Sequence, residues 1–144
     1  MKKIVLIFVL MFGLSNLYAG HDKPITFDKL PAVSQQFIKK YFPNHKIALA
    51  KKEVELLGIS YDVIFTNGDR VEFKKDGSWK EIKCNDFAVP DSLIPQKILS
   101  FVQKRYPNVS IMEIEIKNRY YEVSLSNKIE LKFNKKFVLI DIDD

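Results

Sequence analysis

The chain has 144 residues, a formal net charge of +5, one cysteine and two histidines. Its positive and negative side chains are interleaved, as in Lys51–Glu55, and no basic block with interspersed aromatic residues is present, so the composition argues against a nucleic-acid-binding protein. One cysteine and two scattered histidines are also too few for a zinc site, which needs three or four converging ligands.

The N-terminus has the pattern of a secretory signal peptide. A basic start at Lys2-Lys3 precedes an uncharged apolar run over residues 4–14, and Tyr18-Ala19-Gly20 offers small residues for cleavage. The apolar run is too short for a membrane-spanning helix, which needs about 20 residues. We therefore predict a signal peptide over residues 1–19, cleaved after Ala19, and a periplasmic or secreted protein. Retention of this segment as an N-terminal anchor is the alternative.

Removal of the signal peptide changes the size and charge of the chain. The mature chain keeps 144 − 19 = 125 residues, enough for one ordinary domain or two small fused units. Lys plus Arg fall from 23 to 21 against 18 acidic residues, so the net charge falls from +5 to +3. This small excess does not indicate a particular class of partner.

Cys84 has no second cysteine with which to form an internal disulfide. In an oxidising compartment structural cysteines occur in pairs, so a lone one is not part of a disulfide framework. We expect it to be a small buried side chain on a strand. An intermolecular disulfide or a reactive thiol is the alternative.

A helix followed by four strands is predicted after a short leader at residues 21–29. Apolar residues at helical spacing begin at Leu30-Pro31, and Pro43 ends the helix because the residue before a proline disfavours the α conformation. Asn67-Gly68 and Asp76-Gly77 are hairpin signals. The predicted strands are Ile47–Leu56, Ser60–Thr66, Val71–Lys75 and Ser78–Cys84.

The same order of segments returns in the second half of the chain. Phe101–Ile111 repeats Phe37–Ile47, and a linker at Asn85–Pro90 separates the two stretches. The second helix is expected to be capped by Asp91 or Ser92 and to end at Pro107. Its strands are predicted at Val109–Lys117, Tyr120–Leu125, Ile129–Phe133 and Phe137–Ile142.

This repeat predicts the fold class. We expect an α+β protein of two tandem units, residues 20–86 and 87–144, each with one helix and a four-stranded antiparallel sheet. Neither unit has a large core of its own, so we expect the two sheets to pack edge to edge or to be otherwise shared.

Several motifs occur in both halves, although Arg105 stands where the first copy has Tyr41 and the second copy has no glycine turns. In the first copy they are Leu30-Pro31, Phe37–Pro43, Tyr61–Val63, Asn67-Gly68, Asp76-Gly77 and Trp79. Over essentially the whole mature chain these motifs resemble the PepSY-like family, whose members are similar in fold to the beta-lactamase inhibitor protein. The resemblance implies a periplasmic or secreted, non-enzymatic protein whose open sheet face docks onto another protein, with inhibition of that protein as one form of such docking.

Strand alternation predicts which side chains such a face presents. If the alternate residues of the fourth strands, Ile82 with Cys84 and Ile140 with Ile142, face the core, their neighbours face outward. The predicted partner-binding residues are aromatic and aliphatic, in a charged surround typical of contact surfaces: Trp79, Ile64, Tyr120, Phe137 and Leu139. Alternatively, Trp79 and Phe137 pack over the edge of the core, because one bulge reverses the assignment.

Other functions receive less support from the residues. A small molecule or envelope component could bind in a cleft between the two sheets, which would require an enclosed apolar pocket. No nucleophile motif accompanies His45, and Glu53/Glu55 and Glu113/Glu115 are only superficially like a glycosidase pair, so we expect no catalytic site and no enzyme. We also expect no cofactor and no metal, the alternative being weak calcium binding at Asp141–Asp144.

Overall fold

The computed structural model describes residues 21–144. The predicted signal peptide and its cleavage site lie outside the described residues. Two α-helices, α1 (Ala32–Tyr41) and α2 (Gln96–Arg105), are each preceded by a short 3-10 turn. The nine strands are β1 (His21–Ile25), β2 (Ile47–Glu55), β3 (Gly58–Phe65), β4 (Arg70–Lys74), β5 (Trp79–Lys83), β6 (Ile111–Ile116), β7 (Tyr120–Leu125), β8 (Glu130–Asn134) and β9 (Leu139–Asp143).

All nine strands form one antiparallel sheet in chain order. β5 and β6 pair directly although α2 lies between them in sequence, with Ile82 opposite Ile114 and Glu81 opposite Glu115. The prediction of two tandem units, each with its own four-stranded sheet, is therefore wrong. Turn signals identify strands joined by short hairpins, whereas pairing across a long connection leaves no local signal. Whether residues 20–86 and 87–144 behave as separate domains stays a prediction.

β1 occupies a stretch that the sequence analysis treated as a leader. It pairs with β2 over its whole length, from His21 opposite Val54 to Ile25 opposite Ala50. Charged residues and Pro24 hide the strand pattern here, and a proline is tolerated in a strand only at a sheet edge or bulge.

Both helices contribute to a core on one face of the sheet. Each begins directly after a proline, and the two end at Tyr41 and Arg105, before Pro43 and Pro107 as predicted. The Ser34 hydroxyl on α1 donates a 2.9 Å hydrogen bond to the carbonyl of Gly77, which ties this helix to the β4–β5 turn. Fully buried side chains from β3 to β8 and from α2 fill this core: Val63, Phe65, Val71, Phe73, Ile82, Ile98, Val102, Ile114, Val123, Leu131 and Phe133.

Two of the four bulges in the sheet affect the predicted site, and they lie at equivalent places on β5 and β9. Glu72 lies opposite Glu81 but Phe73 lies opposite Trp79, so Lys80 is the extra residue on β5. On β9 the extra residue is Ile140, between the partners of two adjacent β8 residues. A bulge reverses the direction of every side chain beyond it. This shift decides which predicted residues face the core.

Candidate docking surface

The sheet face opposite the helices carries a row of charged side chains. In residues 21–144 no other element covers this face, which we call the open face. Directly paired residues point to the same side of a sheet, and this row lies one position from the buried row on every strand. The row, here called the charged row, crosses β2 to β9 in register: Lys51, Asp62, Glu72, Glu81, Glu115, Glu122, Lys132 and Asp141.

The charges of β2–β4 are closely paired. Arg70 Nε donates a 2.6 Å hydrogen bond to Oδ1 of Asp62, whose side chain is 2% exposed. Burial raises the pKa of Asp62, and the Arg70 hydrogen bond opposes that rise. Lys51 contacts Glu53 at 2.6 Å and Asp22 at 3.1 Å, and the hydrogen bond to Glu53 is the main cause of its raised pKa. This part of the open face is therefore a compensated network.

The centre of the charged row is acidic. Four consecutive strands, β4 to β7, contribute Glu72, Glu81, Glu115 and Glu122. The pKa of Glu81 is raised to about 7, chiefly by burial and then by the hydrogen bond with Glu113, while Arg70 opposes the rise. Basic side chains of this chain compensate part of this charge, since Lys80 lies 3.3 Å from Glu72 and Lys117 lies 2.8 Å from Glu115. The carboxylates still outnumber these partners along the row, so the centre of the open face favours contact with a further cation.

The described part of this surface has no cluster of side chains arranged to bind a metal ion. Within residues 21–144 no three His, Cys, Asp or Glu side chains are grouped so that they could hold a metal ion. The acidic stretch at Asp141–Asp144 lies at the edge strand, where Asp141 contacts Lys132 at 3.3 Å. The alternative of calcium binding there therefore gains no support.

Two of the five predicted partner-binding residues lie on the open face. Ile64 is opposite Arg70 on β3–β4, and Tyr120 begins β7 with the ammonium group of Lys132 6.0 Å from its ring centroid. Both side chains are partly exposed. They supply apolar and aromatic surface within the charged surround.

The other three predicted residues lie elsewhere. Trp79, Phe137 and Leu139 pack against the core, so their assignment to the open face is wrong. The two bulges cause this error, because they place Trp79 opposite Phe73 and Leu139 opposite Phe133, both core residues. The facing assignment fails for Ile140, the bulged residue, which is 56% exposed. Ile142 lies on the core side, opposite Leu131, but is 42% exposed because β9 is an edge strand. A binding role for the three packed residues stays a prediction, now without an open-face position to support it.

Sequence reasoning missed the residues that dominate the open face. Only the strand register brings Asp62 and Glu81 into the charged row and places Arg70 beside it, opposite Ile64 on the same face. The sequence signal for these residues is the alternation of charged side chains along single strands. The pairing of β5 with β6, which places Glu81 beside Glu113 and Glu115, could not be read from the sequence.

Catalytic chemistry gains no support from the best candidates. Cys84 is buried, and burial together with the charge of Asp69 raises the pKa of its thiol to about 12. A nucleophilic cysteine needs the opposite shift. His45 lies 3.1 Å from the buried carboxylate of Asp69 and packs against Phe42 and Phe65. The contacts of Cys84 and His45 therefore stabilise the fold.

The predicted ligand cleft between two sheets does not exist, because the strands form a single sheet. One depression of about 440 Å³ lies at the end of the open face that includes Lys83, Glu113 and Lys128. It is lined by both polar and apolar groups and is open to solvent. It lacks the enclosed apolar character of a small-molecule site.

Neither helix in residues 21–144 has the length and apolar content needed to cross a membrane.

No curated protein matches this chain. Solved structures that are similar to it include three crystal structures. A Bacteroides vulgatus protein of the DUF2874 family, described as a "putative periplasmic protein", is 47% identical over 88% of this chain and 99% of its own, with a TM-score of 0.85.

The two other structures come from the same genus. A protein from Bacteroides thetaiotaomicron described as a "putative calcium-regulated periplasmic protein" is 50% identical over 85% of this chain and 97% of its own, with a TM-score of 0.83. A second Bacteroides vulgatus protein, described as a "putative periplasmic protein of unknown function", is 32% identical over 85% of this chain and 99% of its own, with a TM-score of 0.81. Residues 59–141 match the sequence model described as "putative beta-lactamase-inhibitor-like, PepSY-like". The resemblance seen in the sequence is thus confirmed, and the chain belongs to the PepSY-like, beta-lactamase-inhibitor-like family.

Proposed function

We propose that this chain is an exported, non-enzymatic protein that docks onto another protein of the periplasm through the open face of its sheet. The apolar N-terminal segment supports export, with cleavage after Ala19. The description of all three similar structures as periplasmic supports the compartment. The inhibitor-like family supports protein binding, and inhibition of the bound protein is the form that we favour.

The observation that carries this proposal is the charged row on an uncovered nine-stranded face. An isolated solvated sheet gains little from aligning four acidic side chains on adjacent strands, because like charges directly opposite one another are destabilising. A partner with basic side chains facing this centre would relieve the repulsion. Charge complementarity of this kind sets the orientation and the rate of association.

Apolar anchors complete the proposed contact. Tyr120 and Ile64 lie on the same face as the charged row, on either side of its acidic centre. Aromatic and aliphatic side chains within a polar surround supply much of the binding energy of protein interfaces. Partner binding by Tyr120 and Ile64 is therefore the part of the predicted site that we retain.

Site-specific photo-crosslinking in the periplasm tests this proposal. A photoreactive phenylalanine analogue replaces Tyr120 on the open face or, as a matched control, Gln36 on the exposed side of α1. We expect one defined adduct from position 120 and none from position 36. Glu122→Lys in the Tyr120-labelled chain should abolish that adduct, because it reverses a charge in the acidic centre.

Two results would contradict the proposal. Equal adducts from positions 120 and 36 would mean that the labelled chain reacts with neighbours at random. An adduct from position 120 that survives Glu122→Lys unchanged would mean that the acidic centre does not select the partner.

A further inference from the structure

The two edges of the sheet differ in how they treat unpaired backbone groups. The strand order places β1 at one edge and β9 at the other. Alternate N–H and C=O groups of an edge strand point away from its only neighbour and can pair with another chain. Within residues 21–144 no segment pairs with the outer side of either strand. Each edge must therefore either deter a further strand or accept one.

The β1 edge has features that deter strand addition. Pro24 has no N–H to donate, and Asp22 and Lys23 place exposed charges on consecutive positions. Proline and charged residues are the common means by which natural proteins protect sheet edges. The β1 edge is therefore a poor template for a further strand.

The β9 edge carries exposed apolar side chains beside the exposed acidic side chains of Asp141 and Asp143. Val138, Ile140 and Ile142 are 57%, 56% and 42% exposed, and β9 contains no proline. Exposed β-branched side chains on an unpaired edge are what a further strand packs against. Strand addition combines backbone hydrogen bonds with such side-chain contacts.

The charges of β9 argue against a second copy of this chain as the added strand. Asp141 and Asp143 lie on the open face, opposite Lys132 and Glu130 of β8. When β9 pairs antiparallel with another β9 and the faces stay aligned, Asp141 falls opposite Asp141 or Asp143 of the copy. Like charges directly opposite each other are destabilising.

We propose that the β9 edge accepts an extended segment of another protein in which lysine or arginine alternates with apolar residues. The basic side chains would lie opposite Asp141 and Asp143, and the apolar ones beside Ile142. Ile140, the bulged residue, would offer its exposed side chain at the start of the added strand. This inference does not depend on docking through the open face, since the edge and the face are different surfaces.

The test uses the purified mature chain and two acetylated heptapeptides, one alternating lysine with valine and the other alternating glutamate with valine. Binding is measured by calorimetry, and backbone amide exchange locates the contact. We expect the lysine peptide alone to bind and to slow exchange in β9, with no change in β1. Asp143→Lys should weaken binding of the lysine peptide about fivefold and favour the glutamate peptide.

Asp86→Lys is the matched control, because Asp86 is an exposed acid in the loop after β5 and should leave peptide binding unchanged. Equal affinity for the two peptides, or slowed exchange outside β9, would overturn the proposal. Sedimentation of the free chain as a dimer with β9 amides already protected would also overturn it, because the occupant would then be a second copy.

Discussion

The β3–β4 and β4–β5 turns of the first half and the β7–β8 and β8–β9 turns of the second half follow similar backbone paths with different residues. Gly68 and Gly77 adopt φ values of 86° and 88°, whereas Lys128 and Phe137 adopt 74° and 62° at the corresponding places. Glycine reaches this left-handed region without strain, but a bulky side chain does not. Phe137 also packs against Tyr121, 5.3 Å away between ring centroids. The first half therefore has relaxed turns, and the second half accepts strain that its packing compensates.

The two halves also differ in their polar contacts. Asp69 accepts hydrogen bonds from the Asn85 backbone N–H at 2.8 Å and from the Asn67 side chain at 3.0 Å, and it contacts His45. At the matching end of the second half, the Ser126 hydroxyl accepts a bond from the Ser110 backbone N–H in an exposed position. The two halves therefore stabilise similar backbone conformations in different ways, the first with buried polar contacts and the second mainly with apolar packing.

The largest expected effect comes from the strand pair that joins the two halves. Ile114→Ala removes a fully buried side chain opposite Ile82, and we expect a loss of about 2–5 kcal/mol in the free energy of unfolding. Urea unfolding followed by circular dichroism measures it. Ile140→Ala, at a mostly exposed position, should cost less than about 0.5 kcal/mol. Similar losses for the two variants would mean that the β5–β6 junction is not part of the core.

Asp69→Ala tests the buried polar contacts of the first half. The substitution leaves the Asn85 N–H and the Asn67 amide without an acceptor, and we expect a loss of about 1–3 kcal/mol in the free energy of unfolding. Asp76→Ala is the control, since Asp76 accepts its hydrogen bonds from Ser78 in an exposed turn. If both variants unfold at the same urea concentration, Asp69 does not distinguish the halves.

Substitutions at the turn residues with positive φ test whether these turns differ in backbone strain. Gly77→Ala should destabilise by about 1–2 kcal/mol. Its Cβ would also lie 2.8 Å from Cβ of Pro31. Lys128→Gly should stabilise by about 0.5–1 kcal/mol, because strain relief exceeds the added entropy of the unfolded chain. Thermal unfolding measures both, with Lys136→Gly as a control that should not stabilise. A destabilised Lys128→Gly would show that this turn carries no relievable strain.

A pH dependence is also expected at the centre of the open face. The pKa of Glu81 is about 7 in the folded chain against an ordinary value of 4.5, so its contribution to stability is present below pH 4.5 and is lost as the pH rises to about 7. Glu81→Gln should flatten the decline in unfolding free energy over this range, measured by urea unfolding at several pH values. Glu55→Gln, at an exposed position, should leave it unchanged. An unaltered decline in Glu81→Gln would assign the pH dependence to other groups.

Local chemistry in the sequence was sufficient for some features and not for others. Pro43 and Pro107 correctly predicted where the helices end, because a proline constrains the residue before it wherever it occurs. The glycines at 68 and 77 correctly marked hairpin turns. These features depend on a few neighbouring residues.

The pairing of β5 with β6 and the two bulges depend on residues far apart in sequence. Nothing near Lys80 or Ile140 indicates an extra residue, yet each moves an aromatic or apolar neighbour from the open face to the core. The acidic centre of the candidate site, around Glu81, likewise exists only once β6 lies beside β5. The strands could therefore be predicted better than the surface that they build.

The central claim is that the two halves form one sheet with one continuous open face. Urea unfolding followed at a probe in each half tests it most directly: fluorescence of Trp79, the only tryptophan, and of a tryptophan placed by Tyr121→Trp in a Trp79→Phe background. Each chain is also followed by circular dichroism, so that every probe is compared with its own global transition. We predict that both probes coincide with that transition, as in a two-state domain. Separate transitions for residues 20–86 and 87–144 would contradict the claim.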